Sequence, residues 1–209
     1  MSEIYLSADW HCGEPRMSIM QRPFKDADEQ FEVLKANHNA IVEPDDLVLM
    51  LGDVCNKEHP ECLPQASELN GRKWLFRGNH DRGILDDDFK TCFERIFQES
   101  EVILTQFEGI PCALNHYPSL GQIEFFNIFG HIHSAFKFAL NGFNCGVDVN
   151  HFRPVNVKQI PFFLTAISEY YDNDVWSFAY PFNMRWYNKR GKKGTYFTGE
   201  TILRQENIQ

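Results

Sequence analysis

Ile4-Tyr5-Leu6-Ser7-Ala8-Asp9-Trp10-His11 is the stretch that decides how this chain reads. Its first five residues form a strand-like, apolar run, and two metal-ligand side chains stand just beyond it. Residues two apart in a strand point to the same side, so Asp9 and His11 are expected to face one ion together. The same grammar returns downstream. Asp46 to Leu51 reads as a strand ending in Gly52-Asp53, and Lys73 to Phe76 as one delivering Gly78-Asn79-His80-Asp81. Pro111 to Asn115 leads to His116, and Phe125 to Gly130 leads to His131-Ile132-His133. These loops offer two carboxylates, one amide oxygen and four imidazoles, enough for two metal ions sharing a carboxylate. Two such ions clamp a phosphate and make hydroxide at neutral pH.

The residue types suggest roles. Asp53 is the candidate bridge, because a carboxylate gives one oxygen to each metal and an imidazole has a single free nitrogen. Asn79 supplies a neutral oxygen. In Gly-His-x-His the two imidazoles can be divided between two ions. Nitrogen and oxygen ligands without thiolate suit manganese, iron, zinc or magnesium. His80 is better cast as the acid for a leaving oxygen than as a ligand, with Asp81 holding its imidazole or raising its pKa. Gly52, Gly78 and Gly130 each precede a ligand, where the backbone turns sharply or approaches another strand.

The first half alternates strand and helix. A helix is expected from about Asp26 to Val42, with Phe31, Val33, Leu34, Ala40 and Ile41 in only a loose 3.6 period. A short helix follows at Glu61 to Leu69, and another at Phe89 to Phe97, where Phe89, Cys92, Phe93, Ile96 and Phe97 share a face. The second half is mostly strand: Val102 to Phe107, Pro111 to Asn115, Phe125 to Gly130, Phe143 to Val149 and Val155 to Val157, with a helix starting near Pro161. Two packed sheets flanked by helices result, with the ligand loops at strand C-terminal ends.

The chain has 209 residues, 43% hydrophobic and 23% charged, the profile of a soluble globular domain. Its net charge of −9 argues against broad binding to nucleic acid or anionic membrane. The six cysteines form no Cys-x-x-Cys pair and read as reduced, mostly buried thiols. No apolar run approaches a membrane span, the N-terminal residues show no basic segment followed by an apolar one, so no leader is expected, and a cytoplasmic location is expected. Residues 1–171 are expected to form the catalytic domain. Residues 172–209, rich in aromatics and carrying Lys189, Arg190, Lys192 and Lys193, are expected to pack on it as an elaboration. His38, His59 and His151 read as surface residues, with His151 and Arg153 also candidates to line the cleft. Arg22 reads as a structural ion pair, and Cys12 and Cys55 as packing behind the ligands.

The motifs over residues 4 to 158 resemble those of the calcineurin-like metallophosphoesterase superfamily. That resemblance implies an α/β fold of αββα layers, two mixed sheets flanked by helices, with a binuclear centre between the sheets. It implies one metal on Asp9, His11, Asp53 and His133 and a second on Asp53, Asn79, His116 and His131. His80 then assists the leaving group, partnered by Asp81. Arg22-Pro23-Phe24 and Gly146-Val147-Asp148-Val149 with Arg153-Pro154-Val155 are similar to small bacterial and phage members. Gly52-Asp53-Val54-Cys55-Asn56 lacks the Asp-Arg-Gly continuation of the protein phosphatases, and so the phosphate-binding arginine of that branch. The function expected is hydrolysis of phosphate mono- or diesters by in-line attack of a metal-bridging hydroxide. The alternatives are a nuclease or cyclic-nucleotide phosphodiesterase and, from another class, a metal-binding interaction scaffold without turnover. The cofactors expected are two divalent ions, manganese first, with iron, zinc, magnesium or nickel as alternatives. The partner expected is a phosphorylated small molecule or nucleotide. A nucleic-acid strand on the basic tail is the lesser reading, and no membrane partner is expected.

Overall fold

The computed structural model describes residues 2–56, 58–139, 141–170 and 202–208. Strands β1 (Ile4–Ser7), β2 (Leu47–Met50), β3 (Arg72–Phe76) and β4 (Arg95–Phe97) run parallel, because helix α1 (Ala27–Asn39), a 3₁₀ segment (Pro60–Glu68) and the short α2 (Asp86–Phe89) return the chain between them. A second sheet is built from β5 (Glu101–Phe107), β6 (Ile110–Leu114), β7 (Phe126–Phe129), β8 (Phe138–Ala139) and β9 (Gly142–Asn144). Strand β10 (Val155–Asn156) then adds antiparallel to β1, followed by α3 (Ile160–Tyr170) and β11 (Ile202–Gln205). The orders are β10-β1-β2-β3-β4 and β11-β5-β6-β7-β9-β8, so both sheets are mixed. This is the expected pair of mixed sheets flanked by helices.

Alternation along each strand divides the core. Leu47, Leu49 and Leu51 face the space between the sheets, where they meet Ile103, Leu114, Ile128 and Phe143. Val48 and Met50 face outward onto Phe31 and Leu34 of α1. A strand buried on both faces must be apolar at every position, which is why β2 reads as a continuous run. From α3, Ile160, Phe163 and Ile167 join the central core. Among the described residues no helix is long and apolar enough to cross a membrane.

Three expectations are corrected. The helix expected over Phe89 to Phe97 is α2, a turn, and then β4. The i, i+4 spacing of Phe89, Phe93 and Phe97 mimics a helix face, but Phe97 enters the central core while Phe89 and Phe93 pack on the outer one. Arg95–Phe97 pair with β3 instead, closing that sheet edge. The strand expected over Phe143 to Val149 stops at Asn144 and becomes a 3₁₀ turn at Val147–Val149. Asparagine side chains supply the bonds a ladder would have made: Asn144 Oδ1 accepts from the Gly146 N–H at 2.8 Å, and Asn150 Nδ2 donates to the Asn144 and Gly146 carbonyls. His38 is not a surface residue. It is fully buried on α1, with Nε2 2.9 Å from the Asn70 carbonyl and its ring edge-on to Trp10.

His38 also explains the weak periodicity of α1. Its buried face is Gln30, Phe31, Leu34 and His38, a regular helical stripe in which two positions are polar. Asp26 caps the helix by accepting from the Glu29 N–H. The segment Glu61 to Leu69, expected as a helix, is the 3₁₀ segment, with Pro60 at its start and Pro64 within it. From the C-terminal region, β11 pairs parallel with β5, and Ile208 is buried in the central core. Lys189, Arg190, Lys192, Lys193 and the aromatics from Trp176 to Phe197 lie outside the described residues.

Candidate metal centre

The parallel strands of both sheets end at one edge, and the ligand loops follow them. Asp9 and His11 come after β1, Asp53 after β2, and Asn79, His80 and Asp81 after β3. From the other sheet, His116 follows β6 and His131 and His133 follow β7. The loops are stitched to one another, within the first sheet and across to the second. The Asp9 N–H donates to the Gly52 carbonyl, and the Val147 N–H donates to the Ala8 carbonyl, both at 3.0 Å. The His131 N–H donates to both Asp9 carboxylate oxygens at 3.0 Å.

The way the Asp-x-His pair is aimed differs from the expectation. Asp9 (φ 60°), His11 (49°), Asp53 (58°), His131 (72°) and His133 (48°) all adopt left-handed backbone. They have left the strand, so pleat alternation does not orient them. Left-handed backbone at a non-glycine residue costs about 1–2 kcal/mol, and strain of this kind gathers where the surrounding structure enforces a functional geometry. Trp10, between two such residues, turns away from the cleft. It is fully buried, with its indole N–H on Ser7.

Two glycines are required by close approach. A Cβ on Gly52, itself at φ 86°, would lie 2.5 Å from His116 Nδ1. One on Gly130 would lie 2.6 Å from the Ala8 Cβ and 2.8 Å from Asp9 Oδ2.

Among the described residues three overlapping groups of ligand atoms result: Asp9, His11 and His133; His11, Asp53 and His80; and Asp53, His116 and His131. Asp53 Oδ2 stands between them, 3.5 Å from His11 Nε2 and 3.3 Å from His116 Nε2. Asn79 Oδ1 is 3.3 Å from His116 Nε2, and His131 Nδ1 is 3.2 Å from the same nitrogen. His131 and His133 therefore fall in different groups. His80 is half-buried, its ring edge-on to His11 at 4.7 Å, and its N–H donates to Asp53 Oδ1 at 2.8 Å. The Asp81 carboxylate binds three backbone N–H groups, those of Gly78, Asp53 and Val54, and so ties the loops after β2 and β3 together.

The electrostatics match this packing. Burial raises Asp9 to about 6. Burial opposes ionisation of Asp53 too, but His116 outweighs it and holds Asp53 well below the usual carboxylate range. For His116, burial would depress the imidazole, yet Asp53 lifts it to about 9. Burial, with His116 adding to it, lowers His131 to about 3, and burial holds His11 well below its ordinary value. His131 and His11 are thereby held neutral, the form that binds metal, whereas a metal on His116 would have to displace its proton. Both ring nitrogens of His11 are buried without a hydrogen-bond partner. A buried polar group in that state is costly, and a divalent ion held beside Asp53 would take up Nε2, the nitrogen that faces that carboxylate. The donor set fits two hard or borderline divalent ions.

Some residues behind the ligands carry signals the sequence reading did not use. Asp148 Oδ2 lies 2.9 Å from His133 Nδ1, and the buried Arg22 pairs with Asp148, the ion pair expected of it. Glu14 is buried and takes Arg16 and the Asn56 side chain. In the sequence, the Gly146-Val147-Asp148 run is the signal that points to Asp148. Cys12 and Cys55 face each other across an isolated parallel bridge behind the ligand loops. Burial pushes the Cys12 thiol up to about 12 and Cys55 higher still, which suits inert packing. His59 sits beside Glu61, while His151 and Arg153 are exposed and belong to none of the ligand groups.

Two mixed sheets that carry nitrogen and oxygen ligand groups around a shared carboxylate form a metal-binding architecture. The calcineurin-like phosphoesterase profile matches residues 3–195, and the chain belongs to that family, whose members are generally metal-dependent hydrolases with a binuclear centre. It is 27% identical over 173 residues to the uncharacterized protein MJ1445 of Methanocaldococcus jannaschii, covering 77% of this chain and 90% of that one. It is 32% identical over 84 residues to the gene 66 protein of Mycobacterium phage L5, covering 39% of this chain and 41% of that one. In fold it is similar to AQ665 of Aquifex aeolicus, a protein of unknown function. The TM-score is 0.60 at 21% identity, over 78% of this chain and 99% of that one.

Proposed function

We propose that the chain hydrolyses phosphate mono- or diesters at two divalent metal ions. Asp9, His11, Asp53 and His133 would hold one ion and Asp53, Asn79, His116 and His131 the other. The observation that carries this is the position of Asp53 Oδ2, 3.5 Å from His11 and 3.3 Å from His116, with ligand groups on both sides. When bound, the ions polarise the phosphoryl oxygens and activate water.

The chain's own part is positioning and proton transfer. His80, half-buried beside the shared carboxylate, donates a proton to the departing ester oxygen. Its backbone N–H on Asp53 Oδ1 fixes where that imidazole starts. Asp81 positions both elements by tying Asp53, Val54 and Gly78 into one turn. Buried walls around Asp9, Asp53 and His116 lower the local dielectric and strengthen every charge contact to the phosphate. Manganese is the first metal to try, and the substrate is a phosphorylated small molecule or a nucleotide.

Turnover of an aryl phosphomonoester and an aryl phosphodiester by Mn²⁺-loaded protein tests the reading. Hydrolysis of either supports it, and the ratio assigns the class. Two bound ions without turnover of these or of a panel of nucleotides and sugar phosphates would reject it in favour of a metal-binding scaffold.

A further inference from the structure

Arg22 lies in the loop before α1, and its side chain is fully buried. All five of its N–H donors are engaged. Nε and Nη2 reach the two Asp148 oxygens at 2.8 Å each. Nη2 also donates to the Asp9 carbonyl at 2.6 Å, and Nη1 to the Trp10 carbonyl at 3.0 Å and Gln30 Oε1 at 2.8 Å. Gln30 Nε2 completes the set on the Trp10 and His11 carbonyls at 3.0 and 3.2 Å. A single guanidinium and its amide partner therefore grip three consecutive carbonyls of the loop whose Asp9 and His11 are left-handed.

The other end of the assembly acts on the second sheet. With Asp148 on Nδ1, the His133 ring is fixed with Nε2 as its remaining nitrogen. A carboxylate on the far nitrogen of a ligating histidine sets its tautomer and raises its basicity, and losing that partner costs 10–100-fold in metal affinity. Arg22 and Asp148 thus bear on Asp9, His11 and His133 together. The other imidazoles are held differently: His116 Nδ1 rests on the Leu51 carbonyl at 2.7 Å.

We propose that Arg22 and Asp148 are positioning residues that set the affinity of one metal position, that of Asp9, His11 and His133, independently of the position formed by Asn79, His116 and His131. The proposal rests on the two-metal reading above. Charge alone does not suffice, because lysine cannot reproduce a planar fork that joins a carboxylate to two carbonyls.

The test is Mn²⁺ titration of the full chain by calorimetry and electron paramagnetic resonance, comparing the parent with Asp148→Asn and Arg22→Lys. The metal-free proteins are melted in parallel. The parent is expected to bind two ions and give an exchange-coupled signal. Each variant should weaken one position 10–100-fold and, at a matched one to two equivalents, show the six-line signal of an isolated Mn²⁺. The other position should keep its parent affinity. If Arg22→Lys fails to melt cooperatively, Asp148→Asn, which preserves volume and an acceptor toward His133, carries the test. Two unchanged affinities in Asp148→Asn, or equal weakening of both, overturns the proposal alone. A parent that binds fewer than two ions overturns the two-metal reading and the proposal with it.

Discussion

The two sheets bring different chemistry to one cleft. The first supplies both ligand carboxylates, the amide of Asn79, His11 and the candidate acid His80, whereas the second supplies only imidazoles, those of His116, His131 and His133. Each set is oriented by the other. The second sheet's His131 N–H fixes the Asp9 carboxylate, and the first sheet's Leu51 carbonyl fixes His116. Asp9 is held by a backbone donor and His116 by a carbonyl acceptor, each from the opposite sheet, so these two ligands take their places only when the sheets are packed. The centre is a property of the interface between sheets.

The comparison breaks most completely at Asp53, which both sheets share. Asp53→Asn is expected to lower phosphoester turnover roughly 10³-fold, the upper range for losing one electrostatic contact to the reacting group. It should also lower bound Mn²⁺ below two per chain by elemental analysis. Parent-like metal content would remove Asp53 from its bridging role.

His80→Ala sharpens the comparison by separating chemistry from metal holding. Both ions should stay while turnover drops about 10²–10³-fold, within the range for a positioned acid. The loss should be larger for alkyl phosphates than for nitrophenyl phosphate, whose leaving group needs little protonation. Loss of metal instead would make His80 a ligand, as its place in one of the three groups permits.

The seam itself is tested at Gly52. In Gly52→Ala the new methyl group meets His116 Nδ1 at 2.5 Å and the backbone sits at φ 86°. A loss of about 1–3 kcal/mol in urea unfolding is expected from the strain, with weaker Mn²⁺ binding. Parent-like stability and binding would show that the sheets are not locked there.

His38 provides a contrast remote from the ligands. Burial holds it at about 4 against the ordinary 6.5. As pH falls below 6.5 the unfolded chain takes up the proton first. The stability from burying the neutral ring is therefore full above 6.5, declines between 6.5 and about 4, and is gone below that. The total is roughly 3 kcal/mol for that interval. Urea melts from pH 7 to 4 should be flatter for His38→Gln than for the parent, and equal slopes would reject this account.

The smallest effect belongs to the C-terminal region. Replacing Lys189, Arg190, Lys192 and Lys193 together should leave turnover of a small phosphomonoester within about twofold, the range of surface changes. Oligonucleotide affinity should be negligible before and after. Tight, salt-sensitive binding by the parent would favour the nuclease reading, since each phosphate contact adds about one to the slope of log affinity against log salt.

Much of this was legible because ligand chemistry leaves few choices. The residue types at Asp9, His11, Asp53, Asn79, His116, His131 and His133, each after an apolar run, indicated a nitrogen- and oxygen-ligated centre at strand ends. The continuous apolar run of β2 indicated a strand buried on both faces. By itself, the sequence determined which side chains were available and that strands would deliver them to one edge. Only the tertiary structure decided how they are aimed. Left-handed backbone at Asp9 and His11 replaces the pleat, because packing against Gly52 and the grip of Arg22 and Gln30 outweigh a local cost that favours extended backbone. Tertiary packing also made His38 and Gln30 core residues of α1, since each finds backbone carbonyls from distant parts of the chain. Partners dozens of residues away, such as Arg22 and Asp148, leave no periodic signal in a sequence, and they meet only once the sheets close on each other.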